Sequence, residues 1–237
     1  MKDIPIIFSG QMVRALLDGR KTMTRRLAWK APGPNPHFPT PSIASPWQKV
    51  RPGDRLWIRE NFHFTSWDED ACFWAKYEAD GASSEILIPT GDDDGMTIME
   101  RLCAKLDRAG VPVNDEGYQS TEALGITPCI HMPRWASRLT LVVTAVKVER
   151  LQAISEEDAA NEGVELERCC GNPAREFGPG DWGTACCGQP DITDPRQEFH
   201  DLWNSLHGAD AWDANPEVCA ISFTVHKQNI DALARAA

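Results

Sequence analysis

Gly19-Arg20-Lys21-Thr22-Met23-Thr24-Arg25-Arg26-Leu27 holds a helix stop, four cations and a strand within one short run. Upstream, Ile4 to Phe8 reads as a short apolar strand. Ser9 is placed to cap a helix that carries Met12, Val13, Leu16 and Leu17 on one side. Gly19 follows the last apolar pair, where a residue that takes a left-handed backbone without a Cβ penalty ends a helix. Thr22 to Leu27 then shows the β-branched alternation of a strand, with Thr22, Thr24 and Arg26 sharing a face.

Further along, Pro32, Pro34, Pro36, Pro39, Pro41 and Pro46 forbid helix and central strand alike, so residues 28–50 are expected to form an extended, Pro-rich surface loop. After the Pro52-Gly53-Asp54 turn, Arg55 to Glu60 reads as a strand with Leu56 and Ile58 on one face and Trp57 and Arg59 on the other. The stretch beyond it reads as irregular, with an aromatic-rich Cys72 to Tyr77, an acidic turn at Asp92-Asp93-Asp94 and a helix from Met96 to about Arg108. Arg138 to Arg150 has the longest strand alternation. Ser155 and Asp158 are spaced as in a capping box, which opens a helix running to about Glu162 and stopping at Gly163. A helix from about Pro195 to Ser205, burying Phe199, Leu202 and Leu206, precedes a last strand from Val218 to Val225. Short helices and long loops between strands, without regular βαβ alternation, predict an α+β chain. The expected architecture is a small mixed β-barrel with flanking helices, a single domain over 1–237 with insertions at about 65–130 and 165–215.

The formal net charge of −11 over 237 residues excludes a histone-like coat for nucleic acid. That charge is unevenly spread. Residues 1–60 hold 11 Lys and Arg against 4 Asp and Glu, whereas the remainder holds 13 against 31. The basic end is where an anionic or polar-ring ligand would be drawn, although a solvated basic face is the plainer explanation of charge alone. No apolar stretch approaches the roughly 20 residues of a membrane span, and the N-terminus lacks a signal-peptide core, so a cytoplasmic protein without a membrane partner is expected. Eight cysteines are then expected to be mostly reduced thiols. Cys169-Cys170 and Cys186-Cys187 form the one arrangement able to close a metal site. They lack a C-x-x-C knuckle, and neither metal nor cofactor is expected. G-x-G-x-x-G, H-E-x-x-H and G-x-S-x-G are all absent.

The segment Gly19 to Arg26, together with Gly53-Asp54-Arg55-Leu56 and a strand leading into Ile154 to Gly163, resembles the ASCH family, a PUA-like β-barrel. The likeness covers a minor part of the chain. Within that family, the G-R-K-T-x-T-x-R pattern is similar to that of bacterial amidohydrolases acting on N4-acetylcytidine. His131 to Trp135 and Trp212 to Pro216 look like stretches of larger phage-borne relatives. The resemblance implies a metal-independent hydrolase that cleaves the N4-acyl amide of acylated cytosine nucleosides to cytidine and a carboxylic acid. Its implied triad falls on Lys21, Thr24 and Glu162.

The residue chemistry fits such a role. A threonine hydroxyl needs a base to act as a nucleophile, and Lys21 could be that base if burial and the charges of Arg20, Arg25 and Arg26 ease loss of its proton; the alternative is a direct route in which Lys21 activates a water that Thr24 only positions. Glu162, at the negative end of its helix, would favour the protonated carboxyl and donate to the departing amine. The fixed donor fork of Arg26 suits a cytosine carbonyl or an oxyanion, and Arg20, Trp57 and Glu60 complete the expected substrate-binding set. One geometric difficulty stands: three residues apart on a regular strand, Lys21 and Thr24 point to opposite faces, so Lys21 must sit in the turn after Gly19 or reach around. Glu162 read by itself is a solvated helix-end acid, and Thr22 a turn hydroxyl. The partner expected is a small-molecule substrate bound by a monomer. The alternative is an RNA-binding or RNA-cleaving module, which needs a basic track with stacking aromatics such as Trp29, Trp47 and Trp57.

Overall fold

A computed structural model of the protein describes residues 1–30, 43–67, 72–86, 92–114, 117–165 and 194–235. In chain order its elements are β1 (Asp3–Ile7), α1 (Gly10–Leu17), β2 (Met23–Leu27), β3 (Trp29–Lys30), β4 (Ile43–Ala44), β5 (Arg55–Arg59), β6 (Phe62–Trp67), β7 (Phe73–Tyr77) and β8 (Ser83–Ile86). There follow α2 (Asp92–Arg108), β9 (Val113–Asn114), β10 (Gly117–Tyr118), β11 (Thr140–Arg150), α3 (Glu156–Asn161), α4 (Pro195–His207), β12 (Glu217–His226) and α5 (Ile230–Arg235). The class is mixed α+β. The described strands of neither compact unit close into a barrel.

The chain divides into two compact units, the first made of Met1–Leu17, Gly53–Val143 and Thr224–Ala237, the second of Asp18–Pro52 and Thr144–Phe223. In the first unit β5 is the middle strand, parallel to β1 and antiparallel to the start of β11, with Leu56 opposite both Ile4 and Leu141. Its residues Arg55 to Ile58 are buried on both faces, so the two-faced pattern read from sequence does not separate core from solvent there. α1 lays Met12, Val13, Ala15 and Leu16 into the core, and the Ser9 hydroxyl accepts from the Met12 N–H at 3.5 Å.

The same unit corrects the expectation of an irregular stretch after residue 60. β6, β7 and β8 form an antiparallel sheet, and Phe62, Phe64, Phe73, Tyr77 and Ile86 build a core with Leu106 of α2, Leu124 and Met132. A register shift between Phe64 and Ser66 breaks the simple alternation of β6, which is one reason the pattern is hard to read in advance. The Asp92-Asp93-Asp94 turn is instead the backbone start of α2.

In the second unit β2 pairs antiparallel with β12, Thr24 facing Ile221 and Arg26 facing Cys219 in register. Gly19 has φ 74° and Gly163 φ 79°, so each is a left-handed stop at the helix end the sequence placed there. α4 differs in its buried face: Phe199 and Trp203 pack with Leu151, Ile154, Ala159 and Val218, while Leu206 is 63% exposed. Phe199 and Trp203 are four apart, with tilted rings whose centroids lie 6.0 Å apart, and Leu206, in the last turn of α4, lies outside the cluster they join. Most of the expected Pro-rich loop and of the 165–215 insertion lies outside the described residues, apart from the β3–β4 pairing and α4 with the turn after it.

Candidate active site

The second unit stitches the segment after Gly19 onto the end of α3. Lys21 and Glu162 form an antiparallel bridge, the Thr22 N–H donates to the Asn161 carbonyl at 2.9 Å, and the Phe223 N–H donates to the Thr22 carbonyl at 3.0 Å. Lys21 thus sits at a bridge just before β2, past the turn at Asp18 and Gly19, and shares the Glu162 side with Arg25. Ser155 caps α3 by accepting from the Asp158 N–H at 3.1 Å, and Glu162 is the C-terminal cap residue with φ −70° and ψ −8°. These backbone contacts fix where the Glu162 side chain starts.

Lys21 is 2% exposed and Glu162 3% exposed. Lys21 Nζ donates to the Glu162 carbonyl oxygen at 2.7 Å and to its Oε2 at 2.9 Å. The other carboxylate oxygen, Oε1, accepts from Arg25 Nη1 at 3.2 Å. Arg25, with a fully buried side chain, also donates through Nη2 to Glu149 Oε1 at 2.8 Å and Asp158 Oδ2 at 2.7 Å, and through Nη1 to Met23 Sδ at 3.2 Å. Glu162 therefore places its side-chain carboxyl between two cationic donors, Lys21 and Arg25.

Burial pushes the Lys21 amine below its ordinary range; Glu162 pulls the other way, and the charges of Arg26 and Arg25 add to the depression. Burial works against the Arg25 charge too, but Glu162, Asp158 and Glu149 outweigh it and strengthen the hold on its proton. For Glu149, burial alone would favour the neutral acid, and Lys147 and Arg25 reverse this and hold the carboxyl below its usual range.

Thr24 is 3% exposed on β2, and the described bonds of Lys21 Nζ run to Glu162 rather than to its hydroxyl. On the face that Thr24 shares with Arg26, the Arg26 guanidinium lies over the Trp47 ring, 5.7 Å from its centroid. Burial lowers the Arg26 guanidinium from its ordinary value, with Glu162 opposing. Arg20 is turned away from the Lys21 amine: its Nη1 donates to the Gly163 carbonyl and its Nη2 to Asp18, each at 3.2 Å. Of the three arginines expected to act on Lys21, Arg26 and Arg25 do so, while Arg20 is engaged by Gly163 and Asp18.

Trp57 and Glu60 belong to the first unit. Trp57 lies in β5 with the Arg59 guanidinium 5.5 Å from its ring centroid. Glu60 is 2% exposed and takes a bidentate pair from Arg138, Nε to Oε1 at 2.8 Å and Nη2 to Oε2 at 2.9 Å. Burial raises the Glu60 carboxyl, Arg138 opposing, and the Arg138 guanidinium carbon lies 4.1 Å from the Tyr77 ring centroid. The carboxylate is committed to this clamp, so Glu60 reads as part of the unit's packing.

Sequence reading placed Arg25 only as a charge near Lys21 and Asp158 only in a capping box, and it passed over Glu149 and the ion pairs that join the three. A signal was there for Arg25: Lys21, Met23 and Arg25 alternate with Thr22, Thr24 and Arg26, and so converge on the same side as Glu162. Among the described residues no three His, Cys, Asp or Glu side chains come together as a metal site, and Cys169, Cys170, Cys186 and Cys187 lie outside those residues. No described helix is long and apolar enough to cross a membrane. Compared with known proteins, the chain matches no family model, no curated protein and no solved structure.

Proposed function

We propose that the chain is an amidohydrolase of the ASCH type, a PUA-like domain that cleaves the N4-acyl amide of N4-acetylcytidine and related N4-acylcytosines. The observation that carries the reading is the buried contact of Lys21 Nζ with Glu162, at 2.7 and 2.9 Å, at the head of the strand that presents Thr24. The resemblance in the Gly19 to Arg26 segment supplies the substrate class.

In this mechanism Lys21 takes the proton of the Thr24 hydroxyl as Thr24 Oγ1 adds to the acyl carbon. Collapse of the tetrahedral adduct breaks the bond to N4, and the lysine ammonium returns the proton to the departing amine. Water then cleaves the acyl-threonine to the carboxylic acid. Glu162 stabilises the ammonium formed in the first step, the role its two cationic donors leave to it. Arg26 is placed on the Thr24 face, where its planar fork suits the cytosine carbonyl or the oxyanion.

The RNA-binding alternative is less favoured by the same geometry. Lys21 and Arg25 are buried and spend their charge on carboxylates, so neither contributes to a surface track for phosphates. The test is product analysis: N4-acetylcytidine incubated with the protein and excess EDTA should yield cytidine and acetate in equal amounts. Retention of RNA oligomers in a salt-dependent manner with no nucleoside product would replace the reading.

A further inference from the structure

Arg25 makes more charged contacts than any residue of the expected triad, although it has no part in the chemistry just described. Its guanidinium joins three acids from two elements: Glu162 and Asp158 from α3 and its cap, and Glu149 from β11. A surface salt bridge of this kind would contribute little, but a guanidinium with no exposed surface is held only because its acceptors are placed for it. The direction of the contacts is informative. Asp158 and Glu149 take Nη2, while Nη1 is turned to the one oxygen of Glu162 that Lys21 does not hold.

We propose that Arg25 is a positioning residue of this site: anchored by Glu149 and Asp158, it holds Glu162 Oε1 so that Lys21 shares that carboxylate instead of possessing it. The inference rests on the amidohydrolase reading in taking Lys21 as the base. A lysine alone with a buried glutamate would keep its proton and serve as a fixed ammonium. A second cation on the same carboxylate weakens that hold, and its own charge also opposes the ammonium.

Among the described residues the charged groups around this point are few. Glu162 faces Lys21 from the end of α3, and Arg26 and Arg25 act on it from β2. Glu149, which also meets Lys147, and Asp158 face Arg25. α4 presents the Phe199 ring, 6.0 Å from the Arg25 guanidinium carbon, and His207, whose imidazole is depressed by burial and by the charge of Arg26. Arg20 is occupied by Gly163 and Asp18.

The experiment follows the protonation of Lys21 in two ways: by the pH dependence of kcat/KM for N4-acetylcytidine, and by the 13Cε chemical shift of the labelled lysine. Arg25→Lys keeps one charge but cannot span three carboxylates. It should move the acid limb of the rate profile and the lysine titration together to higher pH, by about one unit, with activity regained at high pH. Lost activity at every pH with an unmoved lysine titration would show a structural role only and overturn the proposal. Should Arg25→Lys fail to fold, Asp158→Asn removes one anchor at a partly exposed position. With one anchor gone, Arg25 holds Glu162 Oε1 less firmly, so both midpoints should again move to higher pH, and an unmoved lysine titration in that variant overturns the proposal equally. If the wild type does not hydrolyse N4-acetylcytidine, the functional reading fails, while the lysine shift still reports whether Arg25 governs Lys21.

Discussion

Lys21 Nζ bonds Glu162 twice, once at the main-chain carbonyl and once at Oε2. The first contact is to the main chain and does not depend on the side chain at position 162, so geometry and charge are separable at this residue.

Glu162→Gln should therefore leave Lys21 in place while removing the anion between it and Arg25. Two buried cations lose their shared partner, a change that costs about 3 kcal/mol in urea unfolding. Turnover should fall by about 10²-fold or more as the ammonium formed during attack loses its counter-charge. A variant as stable and as active as wild type would show that the pair is incidental.

In the first unit, Arg138 stands between Glu60, Asp80 and the Tyr77 ring. Arg138→Ala should destabilise by about 3 kcal/mol, because it strands the buried Glu60 carboxyl. Arg138→Lys should recover less than half of that loss, since a single ammonium can neither pair bidentately nor stack. Urea midpoints of the three proteins decide the point, and full recovery by lysine would reduce the clamp to a simple charge pair.

Asp3 gives a pH-dependent prediction. Burial alone would raise its carboxyl, but bonds from Arg55 at 2.8 and 2.9 Å and from Arg134 at 2.6 Å hold it below the ordinary 3.8. A carboxyl depressed by folding contributes stability that is present above its unfolded value and lost as pH falls through its folded one. The wild type should thus lose stability as pH falls below about 4 that Asp3→Asn, already weaker at pH 6, does not. Parallel pH curves for the two proteins would contradict this.

Local rules served the sequence well where one residue decides the backbone. Gly19 and Gly163 end helices because each adopts a left-handed conformation, and Ser155 caps α3 through its own hydroxyl. The β6–β8 sheet was not legible because its register shifts between Phe64 and Ser66 and its apolar face is completed by α2 from far along the chain. At the candidate site, the convergence of Lys21 with Glu162 depends on a backbone bridge across 141 positions, and only the family resemblance pointed to it. Arg25 was read from sequence only as a charge near Lys21; its ion pairs were not legible, because the acids facing it, Glu149 and Asp158, lie more than 120 positions away.

Thr24 bears the central claim, since its hydroxyl is the proposed nucleophile. The most direct measurement is the absorbance change of N4-acetylcytidine under wild type, Thr24→Ser and Thr24→Ala at equal concentration. Wild type should turn the substrate over, Thr24→Ser should retain a measurable rate, and Thr24→Ala should fall by about 10³-fold or more with its unfolding curve nearly unchanged. Wild-type turnover undiminished in Thr24→Ala would contradict the account.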